Sequence, residues 1–284
     1  MSVNTVIIPA AGWGTRMLPA SNAVPKELLP VYDRPSIELV IAEAIEAGIT
    51  RIVLVSGRGK SGLMDHFDRH PQLEALLRAS GKDNAADAIV RRAGQAEMIE
   101  VRQGEAKGLG HAVLCGAAAA DGDRVAVMLP DDLYIGSPAA LSELIALSDA
   151  NPKAGVIGLL RVPPEDSSKY GMVSGETRDG HTVIDRLVEK PAVAPSDLAI
   201  TGRYVLPTRV FELLANQGAG ALGEIQLTDA LQGLADGDGM LGIVPSAPRY
   251  DAGNHEGLLL ASLRRGLDAG GEGLRQKLRA ELER

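Results

Sequence analysis

Val3-Asn4-Thr5-Val6-Ile7-Ile8 runs directly into Pro9-Ala10-Ala11-Gly12-Trp13-Gly14-Thr15-Arg16. A β-branched, apolar run that ends at once in a glycine-containing loop reads as a parallel strand feeding a functional turn. The pattern then changes period. Ile37, Val40, Ile41, Ala44 and Ile45 fall on one face of a helix, with Pro35 suited to its first turn and Gly48 to its end. Arg51-Ile52-Val53-Leu54-Val55 is a second strand. Further strands are expected at Met98–Arg102, Arg124–Leu129 and Gly155–Leu160, with helices at Gly110–Ala120 and Pro138–Ala150. Strand-helix alternation of this kind predicts an α/β fold whose mostly parallel sheet is covered on both faces.

Beyond residue 160 the spacing shortens. Met172-Val173-Ser174 and Thr182-Val183-Ile184 predict a small antiparallel region between Tyr170 and Tyr204. Ser80–Gln95 is polar and alanine-rich and reads as a surface insertion. The last ~35 residues read as helix, with a charged terminus after Gly270-Gly271. No repeat and no long linker interrupts the 284 residues, so a single domain is expected.

Aromatic residues make up only 3% of the chain, so the core must be built from Ala, Leu, Val and Ile. A net charge of −8 argues against a general nucleic-acid binder, which would show a basic face. It does not oppose a small anionic substrate, because a few placed cations suffice for one. The single cysteine, Cys115, permits neither an intramolecular disulfide nor a multi-cysteine metal site, and reads as core. Val3–Ala11 lacks a preceding basic region and is too short to span a membrane, so a cytoplasmic protein is expected.

Glycines at the end of a strand let backbone N–H groups surround an oxyanion, and Arg16 and Lys26 add positive charge. Met17 occupies the third glycine position of a dinucleotide fingerprint, so this loop is not one. Gly57-Arg58-Gly59-Lys60-Ser61 imitates the end of a P-loop. The first glycine of that motif would fall at Leu54, inside a strand, which leaves a loop too short to wrap a β-phosphate.

Ala11-Gly12-Trp13-Gly14-Thr15-Arg16-Met17-Leu18-Pro19 with Pro25-Lys26-Glu27-Leu28-Leu29-Pro30 resembles the signature of sugar-phosphate nucleotidylyltransferases, above all the bacterial members that act on UTP and glucose 1-phosphate. Three later segments follow the family's order: Val101 to Ala112, Leu187-Val188-Glu189-Lys190-Pro191, and Gly223 to Ala230. Ser21-Asn22 stands where the family usually has Thr-Lys, which removes one cation near the phosphates. Trp13 replaces a small or aliphatic residue.

The resemblance implies a Rossmann-like mixed sheet, with a nucleotide-binding part over residues 1–135, a sugar-binding part over 136–260 and a helical segment over 255–284. It implies transfer from UTP to glucose 1-phosphate with Mg²⁺, giving UDP-glucose and pyrophosphate, by a homo-oligomer (dimer or tetramer). Arg16 and Lys26 are candidates for the triphosphate, with Ala11, Gly12, Gly14 and Thr15 offering backbone contacts. Gln103 has an amide that both donates and accepts, suited to the uracil edge, and Gly108 lets the base approach the backbone. His111 reads as a cap or packing residue. Carboxylates at the end of the Arg124–Leu129 strand suit Mg²⁺, and the resemblance favours Asp131, with Asp132 a less certain neighbour on the sugar side and Asp251 the second metal ligand. Gly171, Glu189 and Gly202 are placed on the sugar, and Lys190 on its phosphate. Two alternatives stay open: the same chemistry on dTTP or another hexose 1-phosphate, and a non-catalytic protein that binds a UDP-sugar.

Overall fold

The computed structural model describes residues 3–218 and 223–283, so Arg284, at the end of the expected terminal helix, lies outside them. Nine strands form one sheet: β1 (Thr5–Pro9), β2 (Arg51–Ser56), β3 (Glu97–Arg102), β4 (Arg124–Met128), β5 (Gly155–Arg161), β6 (Gly171–Arg178), β7 (His181–Glu189), β8 (Leu198–Pro207) and β9 (Met240–Ile243). Their order is β3-β2-β1-β4-β8-β5-β9-β7-β6. The first four are mutually parallel, as are β5 and β9. β8 enters antiparallel between β4 and β5, and β7 pairs antiparallel with β9 and β6. The sheet is therefore mixed, with its parallel character concentrated in the first half of the chain. The short strands expected after Tyr170 join this sheet as its antiparallel flank.

Apolar residues on both faces of the central strands follow from helices on both faces. Val6, Ile8, Ile52, Leu54, Ala126 and Met128 point to one side, where α1 (Ser36–Glu46) and α5 (Ala140–Ala150) cover them. Ile7, Val53, Val55, Val125 and Val127 point to the other, under α4 (Leu109–Cys115), α6 (Arg209–Asn216) and α7 (Leu227–Gly237). The α1 face is the expected one: Ile37, Val40, Ile41 and Ala44 are buried, Ile45 packs at its edge, and Gly48 at φ +89° turns the chain away. Pro35 sits one residue before the helix.

Ser80–Gln95, expected as a surface insertion, is mostly exposed but has a helical order that the sequence reading did not give it. It carries α3 (Asp83–Ala93), packed against α2 (Pro71–Ala79) as a helical hairpin. Ala86 is fully buried, and Ile89, Val90 and Ala93 repeat at helical spacing beside it. Alanines give that stripe too little apolar contrast to stand out in sequence. At the C-terminus α8 (His255–Ala269) and α9 (Gly271–Leu282) break at Gly270-Gly271.

Candidate active site

Because β3, β2, β1 and β4 are parallel, their carboxyl ends lie along one edge, where open α/β sheets bind ligands. The loop after β1 brings Ala11 to Lys26, that after β2 brings Gly57 to Lys60, that after β3 brings Gln103, and that after β4 brings Asp131 and Asp132. A short antiparallel ribbon adds the distant carboxylate. Arg249–Asp251 pairs with Asp132–Tyr134 so that Asp251 lies opposite Asp132.

Two clefts meet at this edge, and Asp131 lines both. One, of about 370 Å³, is lined by Ala11, Gly12, Lys26, Gln103 and Gly108. The other, of about 540 Å³, takes in Arg16, Asp132, Gly171, Glu189, Lys190 and Gly202, with Asp251 beside Arg16. Ala11, Gly12, Lys26, Gln103 and Gly108, expected on the nucleotide, thus fall in the first cleft and the expected sugar residues in the second, but Arg16, expected on the triphosphate, lines the second cleft and not the first. Gly14 and Thr15 line neither. Gly14, at φ +68°, makes the turn and its carbonyl accepts a 2.7 Å hydrogen bond from Ser21, while Thr15 is exposed on the next short turn.

At the junction the charges interlock. Lys26 Nζ donates to Asp131 Oδ2, and Arg16 spans Asp131 at 3.9 Å and Asp251 at 4.0 Å. Burial pushes the Asp131 carboxyl up, but Lys26 and Arg16 outweigh it and hold the group below the usual carboxylate range. Gly253 lets the two carboxylates and the Arg16 guanidinium close around its backbone. A Cβ there would lie 2.7 Å from Asp131 Oδ2 and 2.9 Å from Asp251 Oδ1. Two converging carboxylates fit a hard divalent cation, which takes one or two protein carboxylates when phosphates supply the rest. Among the described residues no group of three or more His, Cys, Asp or Glu side chains is placed to hold a metal alone.

Gln103 is more constrained than its sequence indicates. Its Nε2 donates to the Gly108 carbonyl at 3.2 Å and lies 3.0 Å from His111 Nδ1. A carbonyl can only accept, so the atom facing Gly108 is the nitrogen, and His111 Nδ1 accepts its second hydrogen. Both amide hydrogens are used internally, leaving Oε1 as the group for a ligand. His111 accordingly orients Gln103 and does not merely cap its helix. Positive φ at Gly108 (+95°) and a Cβ contact of 2.8 Å to the Ile225 carbonyl explain the glycine that brings this carbonyl close.

On the sugar side, antiparallel register sets Glu189 opposite Gly171. Thr228 donates to Glu189 Oε2 at 2.6 Å, and Lys190 Nζ lies 3.6 Å from Oε1. Lys190 has φ +43°, a left-handed conformation unusual outside glycine, anchored by its N–H to the Tyr170 carbonyl at 3.0 Å. Asp132 spends both oxygens within the protein: Oδ1 accepts from Arg249 Nε and Oδ2 from the Gly202 N–H, each at 2.5 Å. Burial opposes the Arg249 charge, and the Asp132 carboxylate beside it outweighs burial. Gly202 lies where β8 shifts register against β5, and a Cβ there would meet Leu129 Cβ at 2.7 Å.

Lys60, the lysine of the P-loop imitation, points inward. Its Nζ donates to the Ala10 carbonyl at 2.5 Å and to Glu27 at 2.8 and 2.9 Å, which ties the β2 loop beneath the β1 loop. Burial pushes the Glu27 carboxyl up and the Lys60 ammonium down. No separate phosphate loop exists there, and Glu27 is a buried partner of Lys60, not a surface partner of Lys26.

The pattern of the nucleotidyl transferase family matches residues 5–265. The chain belongs to that family. A curated member, UTP–glucose-1-phosphate uridylyltransferase YngB of Bacillus subtilis, is 40% identical over 99% of this chain and 93% of its own length. The solved UTP-bound UGPase from Acinetobacter baumannii is 36% identical, with a TM-score of 0.89 over 98% of each chain. A UDP-glucose pyrophosphorylase complexed with UDP-glucose is 37% identical, with a TM-score of 0.84 over 93% of this chain and 98% of its own. Arg249, His111 and Thr228 escaped the sequence reading of the site. A cation two residues before Asp251 was the one local signal available; the partners of His111 and Thr228 come only with tertiary packing.

Proposed function

We propose that this nucleotidyltransferase joins UTP and glucose 1-phosphate to give UDP-glucose and pyrophosphate, with Mg²⁺ held by Asp131 and Asp251. The observation that supports the reading is the meeting of the two clefts at Asp131, which leaves space for a nucleotide and a sugar phosphate to lie end to end. Residues 1–135 then serve the nucleotide and 136–260 the sugar, with α8 and α9 as the helical terminus. The names of the relatives, with UTP and UDP-glucose bound in two of them, support the same substrates.

An ionised oxygen of the sugar phosphate attacks the α-phosphorus, and pyrophosphate leaves in line. That oxygen is already a nucleophile, so no Ser, Cys or His is required, and catalysis comes from alignment and charge neutralisation. Lys26 and Arg16 stand over the triphosphate, and Lys190 over the sugar phosphate. Glu189 accepts from sugar hydroxyls, with Thr228 fixing its rotamer. The cation supplies further neutralisation of the phosphoryl charge when bound. The free Oε1 of Gln103 accepts from the N3–H of uracil, a donor that thymine shares and cytosine lacks.

The deciding experiment measures pyrophosphate release across a panel of nucleoside triphosphates and hexose 1-phosphates, with and without Mg²⁺. UTP with glucose 1-phosphate and Mg²⁺ is expected to be the best combination. Preference for dTTP or another hexose would change the substrates, and UDP-glucose binding without any turnover would remove catalysis. No helix among the described residues is long and apolar enough to cross a membrane. The same reading includes action in the cytoplasm as a dimer or tetramer, for which the exposed Leu259, Leu260 and Leu282 offer apolar surface.

A further inference from the structure

A third cleft, of about 200 Å³, opens beside the nucleotide cleft and shares Ala11, Gly12, Trp13 and Lys26 with it. Its remaining wall includes Asn22 from the β1 loop and Arg58 with Lys60 from the β2 loop. Three cations line this cleft and no carboxylate does, on a chain of net charge −8. Such local concentration of one sign marks an anion site.

The three cations differ in what is left to them. Lys60 is spent on Glu27 and the Ala10 carbonyl. Lys26 is paired with Asp131 at the catalytic junction. Arg58 is exposed and makes no hydrogen bond or ion pair with any described residue. Its place is set by the backbone. β2 runs parallel to β1, the Ala10 N–H donates to the Val55 carbonyl at 2.8 Å, and Gly57 lies so close to the β1 loop that a Cβ would come within 2.9 Å of the Ala11 carbonyl. The guanidinium is thereby carried on a close-packed turn beside the glycine loop. Its fork of N–H donors matches phosphate oxygens two at a time. Asn22, neutral and on the same wall, adds an amide donor but no charge.

We propose that this cleft receives the two terminal phosphates of the nucleoside triphosphate, and the pyrophosphate after transfer, with Arg58 as the cation that binds them. The proposal rests on nucleotidyl transfer in the adjoining cleft. It assigns a residue of the P-loop imitation to phosphate binding, by the side chain of Arg58 and not by Lys60. Trp13, 74% exposed on the rim shared by both clefts, is the only tryptophan in the chain and so reports on filling of the cleft.

The test runs the reaction in reverse, varying pyrophosphate at saturating UDP-glucose, for wild type, Arg58→Ala and Arg58→Lys. Arg58→Ala is expected to raise KM for pyrophosphate, and for UTP in the forward direction, by about tenfold, the loss of one charge-assisted contact. KM for UDP-glucose and glucose 1-phosphate should not move, and Arg58→Lys should recover part of the loss. Titration of Trp13 fluorescence with pyrophosphate should show the same weakening without turnover, and thermal melting checks that the variants are folded. Unchanged pyrophosphate and UTP constants in folded Arg58→Ala would overturn the proposal. So would inhibition by orthophosphate that Arg58→Ala relieves while those constants stay fixed, since the cleft would then serve a separate anion. Absence of pyrophosphorolysis in the wild type is a different failure: it removes the transferase reading, and this assignment with it.

Discussion

Gln103 shows how a single side chain acquires specificity from its neighbours. An exposed amide presents donor and acceptor alike, and would tolerate several base edges by rotating. Here the Gly108 carbonyl and His111 Nδ1 take both hydrogens, so only the oxygen remains to meet a ligand. Removing one of these partners frees the amide to rotate and costs a hydrogen bond's worth of positioning, about 0.5–1.5 kcal/mol or roughly two- to tenfold. His111→Ala should therefore raise KM for UTP by that factor, with kcat and KM for glucose 1-phosphate nearly unchanged. Steady-state kinetics checks this, and a kcat loss at constant KM would assign His111 to the chemistry instead. The sequence made Gln103 legible because it follows a strand inside a motif. His111 was visible as a residue but not as an orienting group, since that depends on how α4 turns back toward the strand end.

At the scale of elements, a buried ion pair ties helix to sheet next to the sugar cleft. Arg203 on β8 is fully buried, and its Nε and Nη2 donate to the two Glu43 oxygens at 2.9 and 2.7 Å from α1. The same Glu43 accepts the Leu141 N–H at the start of α5 at 3.1 Å, while Arg203 Nη1 donates to the Gly202 carbonyl at 2.9 Å. One pair thus joins two helices to the strand that carries Gly202. Breaking it from one side strands a charge, which costs about 3–5 kcal/mol; removing both charges costs less, because the desolvation penalty disappears as well. Glu43→Met and Arg203→Met should each lower the denaturation midpoint strongly, and the double variant less than either. An additive double variant in denaturant titrations would deny the coupling. Periodicity located the apolar face of α1 correctly, yet gave no hint that a carboxylate beside it would be buried. The hairpin of α2 and α3 was hidden for a related reason, since its alanine stripe carries little hydrophobic contrast.

For the molecule as a whole, the charges at the junction of the two clefts balance within the protein. Asp131 and Asp251 face Lys26 and Arg16, so both carboxylates have partners of opposite charge within the chain. Chelation with EDTA should abolish pyrophosphate release while shifting the melting temperature by no more than about 2 °C. UTP with Mg²⁺ should then raise it by mass action. Collapse of the fold on chelation, read by circular dichroism, would contradict a site whose carboxylates are already paired.

The amino-acid sequence by itself determined the alternation of strand and helix, the two-sided burial of β1, β2 and β4, and the identity of the glycine loop with its cations. Each of these is written in near neighbours, where side-chain period and backbone freedom act directly. Tertiary structure decided the rest. It split the predicted site into two clefts, set Asp251 opposite Asp132 through a short ribbon, turned Lys60 inward and left Arg58 beside Asn22. Those outcomes depend on strand register and on which loops share one sheet edge, and a local pattern carries no record of either. The glycine loop after Ile8 thus points to a phosphate ligand, and the sheet edge decides which other residues stand beside it.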